Sequence, residues 1–324
     1  MLIAFAAIIV GFLILIWSAD QFVAGAAAIA RNLGLSPVII GLTIVSIGTS
    51  APEVLVSLAA TMSGAGELAV GNAIGSNIAN IGLVLGITAT VSPLLVLQRT
   101  IRNELGLLLV VTAAAGLLLG DGSLSRLDGW LMLAALVFTL LYMLRSQSTD
   151  LELEAATADE TPADSSLAKA WLTFTLGLVL LIASSRLLVW GAVAAANALG
   201  VSELVIGLTV VAIGTSLPEL AASITSALRG HSEIALGNVV GSNLFNLLAV
   251  LPIPGIFGPE VLESQVMSRD YPLMMILTLL LALALYLGGK RPLAPAGHAY
   301  LGRITGVLLL TIYALYYCWL YLTL

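Results

Sequence analysis

The chain has 324 residues, of which 60% are hydrophobic and 9% charged, with a mean hydropathy of +1.09. A soluble globular domain carries about 25% charged residues, so this composition excludes a water-soluble protein and indicates one that lives in a bilayer. Twelve Lys and Arg against 18 Asp and Glu give a net charge of −6 with no basic run, and there is a single cysteine, Cys318. The charge balance argues against nucleic acid and anionic lipid as partners. The lone thiol excludes a disulfide framework or a thiolate metal cluster.

At roughly 20 apolar residues per crossing, the uncharged stretches bounded by charges, Gly or Pro predict ten helices. They fall at 2–30, 36–62, 68–95, 103–120, 126–145, 168–198, 203–228, 234–257, 270–289 and 300–323. No charged n-region or small-residue cleavage site precedes Asp20, so a cleaved signal peptide is not expected. Between the fifth and sixth helices, Ser146 to Ser166 carries Asp150, Glu152, Glu154, Asp159, Glu160 and Asp164 and reads as a disordered acidic connection. The expected organisation is a first five-helix unit at 1–145, a linker at 146–167 and a second five-helix unit at 168–324.

The two units are copies. The run Gly41-Leu-Thr-Ile-Val-Ser-Ile-Gly-Thr-Ser-Ala-Pro-Glu53 returns as Gly207-Leu-Thr-Val-Val-Ala-Ile-Gly-Thr-Ser-Leu-Pro-Glu219. Likewise Gly71-Asn-Ala-Ile-Gly-Ser-Asn-Ile-Ala-Asn80 returns as Gly237-Asn-Val-Val-Gly-Ser-Asn-Leu-Phe-Asn246. Every match has the same offset, 166 positions, and residues 41–80 share 20 identities with 207–246 in a gapless alignment. Five crossings is an odd number, so the second copy should enter the membrane upside down. Counting loops alternately puts Arg31, Arg99, Arg102, Arg145, Lys169, Arg229, Lys290, Arg291 and Arg303 on one side and Arg126 and Arg269 on the other. The positive-inside rule makes the first side cytoplasmic, with both termini outside and the acidic linker inside.

Only Asp20, Glu53, Arg186 and Glu219 place formal charges deep inside expected crossings. Such charges cost at least ~2.5–3.5 kcal/mol each on insertion scales and are functional by default. Glu53 and Glu219 are duplicates within Gly-Thr-Ser-x-Pro-Glu. Pro52 and Pro218 cannot donate to the carbonyls of Gly48 and Gly214, and carbonyls freed at membrane depth are tolerated only where protein or a polar cavity satisfies them. Thr49 and Ser50 share a helical face with Glu53, as Thr215 and Ser216 do with Glu219. Ser76 and Asn80, and their copies Ser242 and Asn246, are four residues apart on the next helix. The set is rich in hard oxygens and holds no His or Cys, which disfavours zinc or copper. It suits Ca²⁺, which takes 6–8 oxygens, with smaller oxygen sub-sites open to Na⁺.

These two motifs closely resemble the α-repeats of the sodium/calcium exchanger branch of the calcium/cation antiporter superfamily. The resemblance spans both repeats and, through the ten-helix inverted arrangement, most of the chain. It implies an all-α membrane protein: ten transmembrane helices as two inverted-topology repeats of five, with broken helices at the ion site. It further implies a calcium site at Glu53, Glu219 and the backbone carbonyls of Thr49 and Thr215. Sodium sub-sites would use Ser50, Ser76, Ser216, Ser242, the carbonyls of Ser46 and Ala212, and the same carboxylates. Asn80 and Asn246 are amides where some members carry an aspartate, which argues against potassium co-transport and leaves a site charge of −2. For these two asparagines, ion contact and an interhelical hydrogen bond stay open alternatives.

The function so implied is secondary-active, electrogenic exchange of Na⁺ for Ca²⁺ by alternating access. The transported ions are Ca²⁺ and Na⁺, no cofactor is expected, the partner is the lipid bilayer, and a monomer without an obligate protein partner is the expectation. An H⁺/Ca²⁺ antiporter of the same superfamily is the alternative; a channel is disfavoured by inverted broken helices. An intramembrane hydrolase is disfavoured because His231 and His298, the only histidines, fall in cytoplasmic loops. A prokaryotic inner membrane is the expected location.

Asp20 and Arg186 are equivalent positions of opposite charge, which a pseudo-twofold axis would bring together as an ion pair; facing a watery passage or snorkelling to the interface are alternatives. Glu67 and Glu233 fall where helices should start and suit the positive dipole end. Gly71, Gly75, Gly237 and Gly241 form small-x-x-x-small patterns suited to close helix packing.

Overall fold

The computed structural model describes residues 1–154, 166–200, 212–290 and 294–323. Its first half runs α1 (Leu2–Leu33), α2 (Pro37–Thr49), α3 (Ala51–Met62), α4 (Gly66–Val91), β1 (Leu94–Leu97), α5 (Gln98–Leu118), β2 (Ser123–Leu124) and α6 (Arg126–Glu154). The second half repeats the order with α7 (Leu167–Ala198), α8 (Ala212–Thr215), α9 (Leu217–Leu228), α10 (Ser232–Phe257), β3 (Glu260–Val261), α11 (Val266–Gly288), β4 (His298–Leu301) and α12 (Arg303–Thr323). Among the described residues, eight helices are long and apolar enough to cross a membrane, or nine if α2 and α3, bent by 42°, are counted as one broken span. The helix expected at 203–228 is described only from Ala212 onward.

Two expectations change. The connection after residue 145 is helical as far as Glu154, because extending a nucleated helix adds one hydrogen bond per residue fixed; the remainder of the expected linker, 155–165, lies outside the described residues. His298 sits in β4, paired with Leu97, rather than in a loop.

The layers invert those of a soluble protein. The most apolar helices, α1 and α11 (mean hydropathy 2.7 and 2.1), are largely exposed, whereas the less apolar α4 and α10 (1.5 and 1.7) are mostly buried. Lipid solvates Leu and Ile as well as a core does, so apolar content alone does not draw a helix inward; α6 and α12, about as apolar as α4 and α10, lie outside with α1 and α11. In the interior, Val70, Ile74, Ile78 and Ile81 of α4 join Leu236, Val239, Val240 and Leu247 of α10 in one cluster.

Helices α1 and α7 are 32 residues each, about 48 Å at 1.5 Å per residue, longer than a hydrocarbon layer of about 30 Å. They run antiparallel along glycines. A Cβ on Gly11 would meet Leu188, one on Gly25 Phe174, one on Gly177 Phe22, and one on Gly191 Ala4. Gly11 and Gly177, and Gly25 and Gly191, are repeat equivalents.

Two antiparallel ribbons tie the halves. β1 pairs with β4, Leu94 opposite Leu301, and β2 pairs with β3, Ser123 opposite Val261. The start of α5 is thereby held to the end of α11, and the end of α5 to the start of α11.

Candidate cation site

The broken helices arise where the sequence breaks the hydrogen-bond ladder. α2 stops at Thr49, Ser50 takes φ −83° and ψ 4°, and α3 restarts with Pro52 in its first turn; Ser216 repeats this with φ −89° and ψ 4° before α9 and Pro218. Glu53 and Glu219 therefore lie in the first turns of α3 and α9, where the helix dipole favours an anion. The carbonyl of Gly214, released by Pro218, accepts a bond from the Ser185 hydroxyl on α7 at 3.2 Å. In the first half the residue equivalent to Ser185 is Ala19, which has no hydroxyl to offer.

Both carboxylates are buried, each 1% exposed. Ser50 donates to Glu219 Oε1 at 3.3 Å, joining the first half's break to the second half's acid. Thr49, also buried, donates to Asn238 Oδ1 at 3.1 Å. Glu53 Oε2, Glu219 Oε2, Ser216 Oγ, Ser242 Oγ and both amide atoms of Asn246 are buried without a protein partner among the described residues. Buried polar atoms of this kind need an explanation; a hard cation satisfies the carboxylate, hydroxyl and amide oxygens among them, though not the Asn246 Nδ2 donor. No cluster of three His, Cys, Asp or Glu occurs among the described residues; the acids that the described residues bring to the two breaks are Glu53 and Glu219.

The other expected ligands are less uniform. Ser46 is buried, but its hydroxyl donates to Leu42 O at 2.6 Å and its carbonyl accepts from Ser50 N at 2.9 Å. Thr215 is only partly buried, and Ala212 opens the short α8. Ser76, on α4, is buried. Asn80 donates to Asn243 Oδ1 at 3.1 Å, an interhelical bond across the halves. Both Asn80 and Asn246 begin a π-helical turn, at Asn80–Leu85 and Asn246–Val250; such turns inside α-helices recur at functional sites.

Two site residues went unassigned from sequence. Asn72 donates to Glu53 O at 3.2 Å and Ser57 Oγ at 3.0 Å, and its copy Asn238 donates to Glu219 O at 3.3 Å and Ser223 Oγ at 3.0 Å. Each amide straps the turn carrying its acid to the neighbouring long helix. The signal was present, since both lie in the repeated Gly-Asn pairs and Ser57 and Ser223 are repeated too.

Asp20 and Arg186 do not pair. Opposed glycine contacts place Arg186 about 10 Å along the antiparallel helix pair from the level of Asp20. Asp20 instead pairs with Arg229 after α9, with Arg229 Nε 2.6 Å from Oδ1, and Arg186 is exposed. Glu67 and Glu233 do lie in first turns, of α4 and α10. Gly237 packs closely, a Cβ there falling 2.7 Å from Val38 O. The residues that would face Gly71 and Gly75 by the repeat, Leu204 and Leu208, lie outside the described residues.

The family described as sodium/calcium exchanger protein matches residues 3–145 and 169–322. CaxA of Alkalimonas amylolytica, named as an antiporter, is 49% identical over 295 residues, covering 90% of this chain and 92% of its own. Inner membrane protein YrbG of Escherichia coli K12 is 42% identical over 315 residues, covering 95% and 94%. A solved structure of the sodium-calcium exchanger NCX_Mj, 32% identical, superposes with a TM-score of 0.81 over 97% of each chain. The family and its structural neighbour are transporters rather than enzymes. A multi-pass membrane protein with duplicated, buried acids at broken helices, this chain belongs to the sodium/calcium exchanger protein family.

Proposed function

We propose that the chain exchanges Na⁺ for Ca²⁺ across a prokaryotic inner membrane by alternating access. The observation that carries this reading is the pair of buried carboxylates, one from each half, each with an oxygen that has no protein partner among the described residues. Two ionised carboxylates in a closed, dry site would cost several kcal/mol per ion. Either Ca²⁺ or several Na⁺ removes that penalty, so the carrier closes only when loaded and ions are traded rather than leaked. Ca²⁺ would lie between Glu53 and Glu219 with the carbonyls of Thr49 and Thr215; Na⁺ would use Ser50, Ser76, Ser216, Ser242, the carbonyls of Ser46 and Ala212, and the carboxylates.

The architecture proposed with it is two inverted repeats of five helices, 1–145 and 168–324, with both termini outside. The antiparallel pairing of the equivalent helices α1 and α7, and the ribbons that set α5 against α11, support the inversion. The glycine-lined α1–α7 pair is the element that would slide over the fixed core. Resemblance to the structural neighbour favours Na⁺ over H⁺ as the coupling ion.

The test is ⁴⁵Ca²⁺ uptake into proteoliposomes loaded with Na⁺. Uptake driven by outward Na⁺ and raised by an inside-positive potential is expected, because three Na⁺ against one Ca²⁺ carries one net charge per cycle. Uptake driven only by an acid-inside gradient would keep the glutamates but make the protein an H⁺/Ca²⁺ antiporter.

A further inference from the structure

A cavity of about 1030 Å³, whose lining holds none of the candidate cation-site residues, opens between α5 and α11 beside the β1–β4 ribbon. Its lining is graded. Arg102 and Asn103 lie at one end, Leu105 and Leu109 descend α5, and Leu285 and Tyr286 face them from α11. Lys290, just past α11, holds its ammonium 2.9 Å from the Tyr286 hydroxyl and 4.3 Å above its ring. Arg102 opens one membrane span and Gly288 closes the other, so both cations sit at headgroup depth, while Leu109 lies about 10 Å deeper, at acyl depth. Neither cation has a carboxylate partner among the described residues. Glu104, the nearest acid in sequence, is buried and 6% exposed. At Gly106 in the cavity wall an added Cβ would meet nothing within 4 Å.

We propose that this groove holds one anionic phospholipid, its phosphate between Arg102 and Lys290 and an acyl chain along Leu105 and Leu109. Two positive charges match a phosphodiester that carries no compensating amine, and the apolar wall below matches the chain attached to it. The linear sequence, without a basic run, points away from anionic lipid; the fold puts Arg102 in the wall of the groove and Lys290, 188 positions away in sequence, on Tyr286, which lines the groove from α11. The site is independent of which ions are exchanged.

The test reconstitutes the full chain in vesicles of phosphatidylcholine and phosphatidylglycerol at about nine to one, then reads retained lipid by native mass spectrometry. The wild type should keep one phosphatidylglycerol in preference to phosphatidylcholine. Arg102→Gln should lower that retention about fivefold, the factor for one basic side chain beside an anionic headgroup. Gly106→Phe, which fills the groove and leaves both cations in place, should lower it as much, and Arg126→Gln at the opposite rim should not. Gly106→Phe keeps the test decisive if Arg102→Gln does not fold. Equal retention of the two lipids by the wild type, or an unchanged phosphatidylglycerol adduct in Gly106→Phe, would overturn the proposal.

Discussion

Asp20 of α1 and Arg229 at the end of α9 form an ion pair that joins the α1–α7 pair to the core, with side chains 43% and 37% exposed. Exposed pairs of this kind contribute about 0–1 kcal/mol. Asp20→Asn and Arg229→Gln should therefore leave the thermal midpoint nearly unchanged, yet alter the maximal exchange rate by freeing α1. The charge-reversed pair, Asp20→Arg with Arg229→Asp, should restore the rate. Parallel melting curves and initial rates decide it; a large loss of stability in either single variant would mean the pair is part of the folding core.

Glu53→Gln and Glu219→Gln should abolish exchange while the protein stays folded. Glutamine keeps the shape and can still accept from Ser50 at position 219, but it removes the charge that offsets the cation. Neither variant should melt earlier than the wild type, because a buried carboxylate is itself a burden. Full ⁴⁵Ca²⁺ transport by either would remove the proposed site.

Asn72→Ala and Asn238→Ala each delete two hydrogen bonds and leave a buried backbone carbonyl and a serine hydroxyl without their donor. The expected cost is about 1–3 kcal/mol each, read as a lower apparent Tm in detergent. Added Ca²⁺ should protect these variants less than the wild type, since the turn that presents the acid is loosened.

Gly25→Ala and Gly177→Ala place a Cβ 2.5 Å from the backbone nitrogens of Phe174 and Phe22. Backbone cannot yield as a flexible side chain can, so about 1–3 kcal/mol of overpacking is expected. Gly106→Ala, with open space around it, should be neutral or slightly stabilising through helix propensity. Thermal melting of the three variants side by side checks the contrast.

His231, outside the spans, is half-buried, and burial first, then the charges of Arg31 and Arg229, push its pKa below the usual 6.5. A depressed histidine is neutral when folded, while the unfolded chain takes up a proton below about 6.5. Its contribution to stability is therefore full above that value and is lost as pH falls toward the folded pKa. His231→Gln should flatten the stability profile between about pH 5 and 7. An unchanged acid slope would assign it to other groups.

How far the sequence could be read follows from what each feature depends on. The acids, their hydroxyl neighbours and the helix breaks were legible because proline, glycine and charge act locally and the motif occurs twice. The Asn72 and Asn238 straps lay in the same motif but were opaque, because an amide's partners on another helix have no sequence spacing. The partner of Asp20 was misread because repeat equivalence identifies copies, not neighbours: antiparallel packing of α1 on α7 separates Asp20 from its copy Arg186. The π-helical turns at Asn80 and Asn246 have no period that an apolar helix would betray. The groove between α5 and α11 was missed because Arg102 in its wall and the Tyr286–Lys290 pair beside it come from different halves.

The β1–β4 and β2–β3 ribbons are main-chain seams between the halves, one at each end of α5. Together with the α1–α7 pair they hold the two halves by contacts that owe nothing to the covalent connection after α6. Two separately translated polypeptides, ending at Glu154 and beginning at Ser166, should find each other in the membrane and co-purify. Such a split protein would make each copy of the duplication a subunit in its own right, as a two-chain ancestor of this single chain would have been.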